Sequence, residues 1–311
     1  MNNDKIIVSV CMITYNHGSY IKEAIEGVLA QKTNFPIELV IGEDCSIDST
    51  RSICETYLQK HADIINLLPS KKNNGLMPNF IRTLEACKGK YIALCEGDDY
   101  WTDPLKLQKQ VDFLDANDDF SICSANVILK NEIDNTEVEW LGAKWREVST
   151  LKDILRYGSG GATCTLVFRS QSIKVIPEWF HLFAGGDWAI QIICTSKGKM
   201  RYFRDVVGVY RRNLGGETAP KTIDKTILMF ENEGIKQINI LNKKFTNYKR
   251  EINAHAAEYY YYSLASMYSK IGDKKRTRLT IYKIFQQILS INLSFKQICY
   301  LMFLYLKNLL P

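Results

Sequence analysis

Short apolar runs recur along the first 130 residues of the chain. They are rich in β-branched residues, and between them apolar residues recur every three or four positions. The runs are typical of strands covered on both faces, and the intervening pattern is typical of helices with one buried side. The predicted strands are Ile6–Ile13, Ile37–Ile41, Ile64–Leu68, Tyr91–Cys95 and Ser121–Leu129.

Helices are predicted between these strands. After the first strand, Ile21, Ala24 and Val28 lie at helical spacing. Before the fifth strand, Asp103-Pro104 favours a helix with Asp103 as its N-cap and the proline in its first position. This alternation of strands and helices indicates βαβ units.

The fold class that we expect is α/β: a mostly parallel mixed sheet with helices on both faces, followed by an α-helical C-terminal extension. Residues 131–215 alternate less regularly, and helical periodicity dominates from residue 221 onward. We place a boundary near Gly216–Pro220, which gives a first domain of residues 1–216 and a helical region of residues 217–311. Ligands of such sheets bind at the edge where the carboxyl ends of the parallel strands meet.

The composition is that of a globular protein, with 46% hydrophobic and 24% charged residues among 311. This excludes disordered and collagen-like classes. Residues 221–311 carry 15 Lys/Arg against 6 Asp/Glu, whereas the first 220 residues carry 25 against 28. We do not expect a nucleic-acid ligand, because the positive charge lies in the tail, away from the expected ligand edge.

Nine cysteines, most of them in apolar stretches and none in a CxxC pair, favour reduced and buried thiols over disulfides or a zinc site. Only five residues precede the first predicted strand, so no secretory signal is expected. No apolar stretch reaches the roughly 20 residues that span a bilayer. We therefore expect a cytoplasmic protein.

Polar side chains follow four of the predicted strands at the expected ligand edge. For any single residue a helix cap or a turn is the simpler interpretation, but the whole set indicates a polar ligand. The set consists of Thr14, Tyr15 and Asn16, then Glu43 and Asp44, then Lys71, Lys72 and Asn74, and finally Glu96, Asp98 and Asp99.

The motifs narrow the type of ligand. No GxGxxG follows the first strand and no GxxxxGK[ST] loop occurs, so a glycine-rich phosphate cradle is not expected. Glu96, Asp98 and Asp99 repel one another, and a divalent cation relieves that repulsion. Oxygen ligands favour Mg²⁺ or Mn²⁺ over zinc, and such a cation can share its remaining positions with a diphosphate. The four histidines lack metal-ligand spacing, so we interpret them, including His17, as ordinary surface or core residues.

Three ordered motifs carry a family resemblance. They are Val8-Ser9-Val10 through Tyr15-Asn16, Glu43-Asp44-Cys45-Ser46-Ile47-Asp48-Ser49-Thr50, and Glu96-Gly97-Asp98-Asp99-Tyr100-Trp101-Thr102-Asp103-Pro104. Together they resemble the family 2 glycosyltransferases of the A-type fold, strongly over residues 5 to about 130 and weakly to about 216. The resemblance implies a nucleotide-sugar donor, with a UDP-sugar favoured.

By this resemblance Tyr15 would lie against the nucleobase, and Asp44 would accept a hydrogen bond from uracil or a similar base. Lys71 or Lys72 would reach the diphosphate. The nucleotide-sugar-binding residues that the resemblance implies are Thr14, Tyr15, Asn16, Glu43, Asp44, Lys71, Lys72, Asn74, Glu96 and Arg211.

The resemblance also implies that Asp98 and Asp99 hold the metal. Glu43 and Glu96 stand where the family commonly has aspartate; both keep the charge and lengthen the arm. Gly185-Gly186-Asp187-Trp188 resembles the family's acidic catalytic motif, with Asp187 as the catalytic base.

Tyr210–Gly216 resembles the closing segment of the family, in which Arg211 or Arg212 would screen the diphosphate. Asn213 stands where many relatives carry a histidine.

The expected function is metal-dependent, inverting transfer of a sugar from a nucleoside diphosphate to a glycan or lipid-linked acceptor, in bacterial surface-polysaccharide synthesis. Residues 1–216 would bind both substrates. Two alternatives stay open. One is an inactive nucleotide-sugar-binding or scaffold protein, which the changes at Glu43 and Glu96 favour; the other is a nucleotidyltransferase, which would need a basic, glycine-rich loop after the first strand.

The C-terminal segment Ser294–Leu310 predicts a helix that is apolar over most of its circumference, with Lys296 and Lys307 near its ends. Together with the basic tail, this pattern favours docking on an anionic membrane, at the inner face of the plasma membrane. Packing onto the protein's own helices or onto a dimer partner is the alternative.

Overall fold

A computed structural model describes residues 5–140, 146–183, 185–213, 216, 221–287 and 293–308. The chain divides into two compact units, each assembled from several segments. Unit 1 comprises Met1–Leu151, Ser159–His181 and Gly185–Ala219, and unit 2 comprises Lys152–Gly158, Leu182–Ala184 and Pro220–Pro311.

Unit 1 is built on a mixed sheet of ten strands. The strands are β1 (Val8–Thr14), β2 (Ile37–Glu43), β3 (Ile65–Leu67), β4 (Tyr91–Leu94), β5 (Tyr100–Trp101), β6 (Phe120–Asn131), β7 (Thr136–Glu139), β8 (Val148–Ser149), β9 (Val167–Arg169) and β10 (Lys199–Arg212). Their order is β3-β2-β1-β4-β9-β6-β10-β5, with β7 beside β6 and β8 beside β10.

The first four strands run parallel to their neighbours, and so do β6 and β10, whereas β9 runs antiparallel between β4 and β6. The expected α/β class, with a mixed sheet and a helical C-terminal region, is confirmed. The apolar runs of β1, β2 and β4 are buried because other elements cover the centre of the sheet. All five strands predicted from those runs are present.

The helices that begin in unit 1 are α1 (Ile21–Leu29), α2 (Thr50–Lys60), α3 (Leu76–Ala86), α4 (Lys106–Ala116), α5 (Leu151–Tyr157) and α6 (Gly186–Thr195). The prediction that Asp103 caps α4 is wrong, since that helix begins at Lys106 with Leu105 as its N-cap. Asp103 instead accepts a hydrogen bond from the N–H of Leu105, which forms a turn just before the helix.

The sequence did not predict β10, the longest strand, which has 14 residues. It pairs with β6 through three shifts of register, and these irregularities disturb the alternation by which a strand is recognised. A 3₁₀ turn, Thr163–Thr165, directly precedes β9.

Unit 2 is helical. Its further helices are α7 (Ile223–Met229), α8 (Ile235–Lys244), α9 (Lys249–His255), α10 (Tyr262–Lys270), α11 (Lys274–Phe285) and α12 (Phe295–Lys307), with π-helical turns at Phe230–Gly234 and Ala256–Tyr261. Arg156 on α5 forms a bidentate pair with Glu258, with distances of 2.8 and 2.6 Å. Among the helices of the described residues, none is long and apolar enough to cross a membrane.

Candidate active site

A cavity of about 510 Å³ opens where β1, β2 and β4 end, and the residues that line it all belong to unit 1. The predicted site residues that line it are Thr14, Tyr15, Asp44, Glu96, Asp98, Asp99, Asp187 and Arg211. The remaining predicted residues lie outside the lining; they are Asn16, Glu43, Lys71, Lys72 and Asn74.

The loops that follow β1 and β2 hold each other in place. Asn16 has a φ of 55°, a left-handed conformation that asparagine adopts more readily than most residues. Its side-chain oxygen accepts the N–H of Ile47 at 3.0 Å, and its own N–H donates to the hydroxyl of Ser46 at 2.9 Å. Glu43 accepts the N–H of the same Ser46 at 2.6 Å. Asn16 and Glu43 therefore shape the loops beside Tyr15.

Asp44 fixes the loop that follows β3. One carboxylate oxygen accepts from the side-chain amide of Asn74, and both accept from that residue's N–H, at 3.0 to 3.1 Å. The N–H of Gly75 donates to Asp44 at 2.9 Å, and its φ of 88° explains the glycine. Lys71 and Lys72 are exposed on this loop.

The acidic loop after β4 lies against the end of β1. The N–H of Gly97 donates to the carbonyl of Ile13 at 2.9 Å, and a Cβ on Gly97 would lie 2.5 Å from the hydroxyl of Thr14. Glycine at this position lets the backbone of the loop approach β1 closely. The three carboxylates of the loop have different surroundings.

Glu96 has an orphaned oxygen. Burial, and next the charges of Asp98 and Asp187, raise the pKa of Glu96 to about 8. Its Oε2 is buried and has no hydrogen-bond partner among the described residues. A buried polar atom without a partner is costly, so a ligand that contacts this oxygen would be stabilising.

Asp98 is the carboxylate that other polar side chains surround. Its Oδ2 accepts from the amide of Asn213 at 3.0 Å and lies 3.8 Å from Nε2 of His17. Its side chain is 16% exposed and lines the cavity.

Asp99 is only 1% exposed and accepts the N–H of Arg211 at 2.8 Å. Burial, followed by the charges of Asp98 and Glu96, raises its pKa well above the usual range. The carboxylate therefore connects the acidic loop to the end of β10.

The guanidinium of Arg211 is surrounded by groups of the protein itself. It donates to Glu132 at 3.0 Å, to the carbonyl of Asp98 at 2.8 Å and to Glu23. It also lies 4.3 Å from the ring centroid of Tyr100. With 3% of its side chain exposed, Arg211 acts as an anchor for the acidic loop.

Asp187 lies in the first turn of α6, and Gly185 is the N-cap of that helix. Burial raises the pKa of Asp187, although hydrogen bonds from the N–H of Trp188, from its own N–H and from the side-chain hydroxyl of Ser159 oppose the shift. The turn is tight, because a Cβ on Gly186 would lie 2.1 Å from the ring of Phe80. The close approach positions the carboxylate at the cavity wall.

Sequence reasoning missed two polar residues at this site, His17 and Asn213. His17 lines the cavity, and its Nδ1 is buried and unbonded among the described residues. Its position directly after Tyr15-Asn16 was the available signal. The resemblance marked Asn213 only as a lost histidine, and its bond to Asp98 gives it a place in the site.

The residues fit a divalent cation whose coordination is completed by a bound molecule. Within the described ranges, no three carboxylate, histidine or cysteine side chains could hold a metal ion by themselves. Asp98 and the orphaned oxygen of Glu96 offer hard ligands at the cavity. Mg²⁺ and Mn²⁺ are commonly held by one or two carboxylates together with phosphate oxygens.

A mixed sheet with an acidic cavity at the carboxyl ends of its parallel strands places the protein in the class of A-type nucleotide-sugar transferase folds. The family model described as "Glycosyl transferase family 2" matches residues 9–176, and the chain belongs to this family.

Two relatives show how far the similarity extends. An uncharacterized protein of Mycobacterium tuberculosis, Rv1520, is 35% identical over 210 residues, which cover 67% of this chain and 60% of the relative. The chain thus spans about 60% of the length of that relative. The putative teichuronic acid biosynthesis glycosyltransferase TuaG of Bacillus subtilis is 35% identical over 114 residues, 37% of this chain and 44% of TuaG.

Solved structures share the fold at lower identity. TarS 1-349 of S. aureus, in complex with UDP-GlcNAc, is 18% identical with a TM-score of 0.57, covering 92% of this chain and 89% of TarS 1-349. The mannosyltransferase PcManGT of Pyrobaculum calidifontis, in complex with GDP-Man and Mn²⁺, is 16% identical with a TM-score of 0.56, covering 99% of this chain and 88% of PcManGT.

Proposed function

We propose that this protein transfers one sugar from a nucleoside-diphosphate sugar to a hydroxyl of a glycan or lipid-linked acceptor, with inversion at the anomeric carbon. Family membership supports glycosyl transfer. The observation that carries the proposal is that Glu96, Asp98 and Asp187, from two distant parts of the chain, line one cavity. The first two suit a donor and its cation, and the third supplies a separate base.

We place the nucleobase beside Tyr15 and Asp44. Tyr15 is 41% exposed at the cavity and offers a ring for stacking. Asp44 already accepts bonds from Asn74 and Gly75, and a carboxylate has lone pairs for a further N–H from the base. A UDP-sugar is our preferred donor, and the UDP-GlcNAc bound to TarS supports this choice.

We propose that Asp98 and Asp99 hold a divalent cation, Mn²⁺ or Mg²⁺, and the Mn²⁺ of PcManGT supports this assignment. Asp98 is the better placed, because Asp99 already accepts the N–H of Arg211. When bound, the cation neutralises negative charge on the leaving diphosphate. Asn213 orients Asp98 by donating to its Oδ2.

The remaining predicted donor residues take less direct roles in our proposal. Lys71 or Lys72, exposed on the loop that Asp44 fixes, reaches the diphosphate from outside the cavity. Thr14 and Glu96 line the cavity beside the donor. The loops around the cavity are shaped by Asn16, Glu43, Asn74 and Arg211.

Asp187 is the base in this proposal. In an inverting displacement the acceptor hydroxyl attacks the anomeric carbon from the face opposite the diphosphate, and its proton must leave as the new bond forms. The raised pKa of Asp187 makes it a stronger proton acceptor than an ordinary aspartate. Asp98 and Asp99 are unsuited to this role because we assign them to the cation.

The acceptor that we propose belongs to a bacterial surface polysaccharide assembled on the cytoplasmic side of the membrane. The relative TuaG, whose name refers to teichuronic acid biosynthesis, supports this setting.

The test is the substitution Asp187→Asn, measured with a UDP-sugar, Mn²⁺ and an acceptor pool from a surface-polysaccharide preparation. We expect donor binding to be kept and turnover to fall by roughly 10²–10⁴-fold, the usual contribution of a general base. Asparagine preserves the shape and the local hydrogen bonding, so a purely structural aspartate would leave turnover near that of the wild type.

Asp224→Asn is the matched control, because Asp224 is an exposed aspartate in the first turn of another helix, α7. It should behave like the wild type. Equal turnover in Asp187→Asn and Asp224→Asn would remove Asp187 as the base. Absence of any sugar transfer by the wild type, despite donor binding, would favour a binding protein instead.

A further inference from the structure

The last two helices of unit 2 each have one buried and one exposed side. Five residues of α10, α11 and α12 form a small shared core: Ala265, Ile281, Ile284, Leu301 and Leu304. On the opposite side of α12, Met302, Phe303 and Leu306 are between 52% and 59% exposed. At 100° per residue these three positions lie within one sector of the helix, so α12 has a continuous exposed apolar stripe.

α11 also has one buried side and one exposed side with apolar residues, and it carries more charged residues than α12. Its buried side contains Ile281 and Ile284, whereas Leu279 is 54% exposed and Tyr282 is 59% exposed. Lys275 and Arg278 are exposed on the same helix. An apolar stripe flanked by cations is typical of helices that lie in a membrane interface.

The charge after residue 273 has a single sign. From residue 274 to the end, the sequence contains no Asp or Glu. Its cations are Lys274, Lys275, Arg276, Arg278, Lys283, Lys296 and Lys307. Arg276 pairs with Asp273 and Glu231, two acidic side chains of unit 2. The partner of this surface must therefore supply negative charge.

We propose that the exposed sides of α11 and α12 dock on an anionic lipid bilayer, with Met302, Phe303 and Leu306 inserted at the headgroup boundary. A second copy of this chain fits poorly, because a two-fold contact would bring like charges together with no acidic residue of this segment to pair with them. A nucleic acid would leave the apolar stripe without a partner.

α12 is already folded for this role. Ser294 and Gln297 form a capping box at its N-terminus, so the helix starts in a defined place. Leu301 and Leu304 hold its inner side on the helical core, which leaves the apolar stripe outward. The proposal concerns binding, and so it stands independently of the transfer activity.

Co-sedimentation of the full chain with vesicles tests the proposal. The two kinds of vesicle are phosphatidylcholine alone and phosphatidylcholine mixed with phosphatidylglycerol. We expect the wild type to partition at least about tenfold more into the anionic vesicles, as a cluster of cations near a charged surface predicts. Adding salt should reduce this preference.

Two double variants separate the contributions. Phe303→Ser with Leu306→Ser removes inserted side chains, and Lys275→Glu with Arg278→Glu reverses exposed charge. Each should lower partitioning into anionic vesicles by about tenfold or more. The matched controls, Leu228→Ser on α7 and Lys236→Glu on α8, change exposed residues of the same unit and should bind as the wild type does.

Three results would overturn the proposal. The first is equal wild-type binding to both kinds of vesicle, and the second is unchanged binding of both double variants. The third is a wild type that ignores vesicles but sediments as a dimer that Phe303→Ser with Leu306→Ser dissociates, which would assign the surface to a second copy. Circular dichroism and donor binding of each variant show that it is folded.

Discussion

Carboxylates of similar appearance in the sequence have different tasks in the folded protein. Glu43, Asp44 and Asp99 accept backbone N–H groups from neighbouring loops and strands. Glu96 has an oxygen without a partner among the described residues, and Asp187 lines the cavity from a separate helix. At the scale of single residues, hydrogen-bond partners distinguish the carboxylates that build the site from those available to a ligand.

Lys106 gives a pH-dependent prediction at this scale. Its side chain is fully buried, its Nζ lies 4.1 Å from the ring centroid of Trp101, and this nitrogen has no hydrogen-bond partner among the described residues. Burial lowers its pKa from 10.5 to about 8. Between these values the unfolded chain binds more protons than the native one, so the free energy of unfolding contributed by Lys106 rises with pH and levels off above 10.5.

Lys106→Met should remove this contribution, and the difference from the wild type is measured by urea unfolding at several pH values across that window. Lys109→Met, an exposed lysine on the same helix, is the control. If the free energy of unfolding of Lys106→Met rose with pH as steeply as that of the wild type, Lys106 would not be desolvated in the folded protein.

The sequence predicted Asp44, Glu96, Asp98 and Asp99 because they directly follow buried strands, whereas Asp187 was predicted from the family resemblance. It could not predict their partners, because those lie far away along the chain. Asn213 is 115 residues from Asp98, and the Arg211 N–H that Asp99 accepts is 112 residues away. No local pattern encodes such pairs, which exist only after β10 has paired with β6.

At the scale of elements, the contact between α3 and the start of α6 positions the predicted base. Phe80 on α3 is buried and stacks on Phe180 with 6.1 Å between ring centroids. Gly186 packs against the ring of Phe80, with no space for a Cβ. Strands β1, β2 and β4 were predictable from their short apolar sequences. The contact between α3 and α6 was not, because it depends on side-chain packing between distant segments.

Gly186→Ala should destabilise the protein by about 1–3 kcal/mol, the usual cost of overpacking, and should lower turnover because Asp187 is displaced. Thermal unfolding and sugar-transfer assays measure the two effects. In a Phe80→Leu background, Gly186→Ala should lower the free energy of unfolding by a smaller amount, because the leucine side chain leaves space for the new Cβ. An identical cost in both backgrounds would mean that Phe80 does not constrain the turn.

At the scale of the whole molecule, the candidate ligand cavity and the basic segment belong to different units. The described residues that line the cavity belong to unit 1, and the basic segment after residue 273 belongs to unit 2. All five tryptophans occur between residues 101 and 188, within the segments of unit 1. Tryptophan fluorescence therefore follows the unfolding of unit 1.

This distribution gives a prediction for donor and metal. UDP with Mn²⁺ should raise the tryptophan-detected unfolding free energy by about 2.7 kcal/mol when the ligand is present at 100 times its Kd. EDTA, or the substitution Asp98→Ala, should abolish most of that gain. Asp118→Ala, which changes a fully exposed aspartate, should keep it. Stabilisation by UDP that is equal with Mn²⁺ and with EDTA would argue against a shared cation.

The anchor formed by Arg211 has a consequence for synthesis on the ribosome. The guanidinium holds the carbonyl of Asp98 from a position 113 residues later in the chain, and it also joins Glu23 and Glu132. A nascent chain that has emerged only as far as β9 therefore contains Glu96, Asp98 and Asp99 but lacks β10, which carries Arg211. We therefore expect the candidate site to form late in translation, after α6 and β10 have both been synthesised.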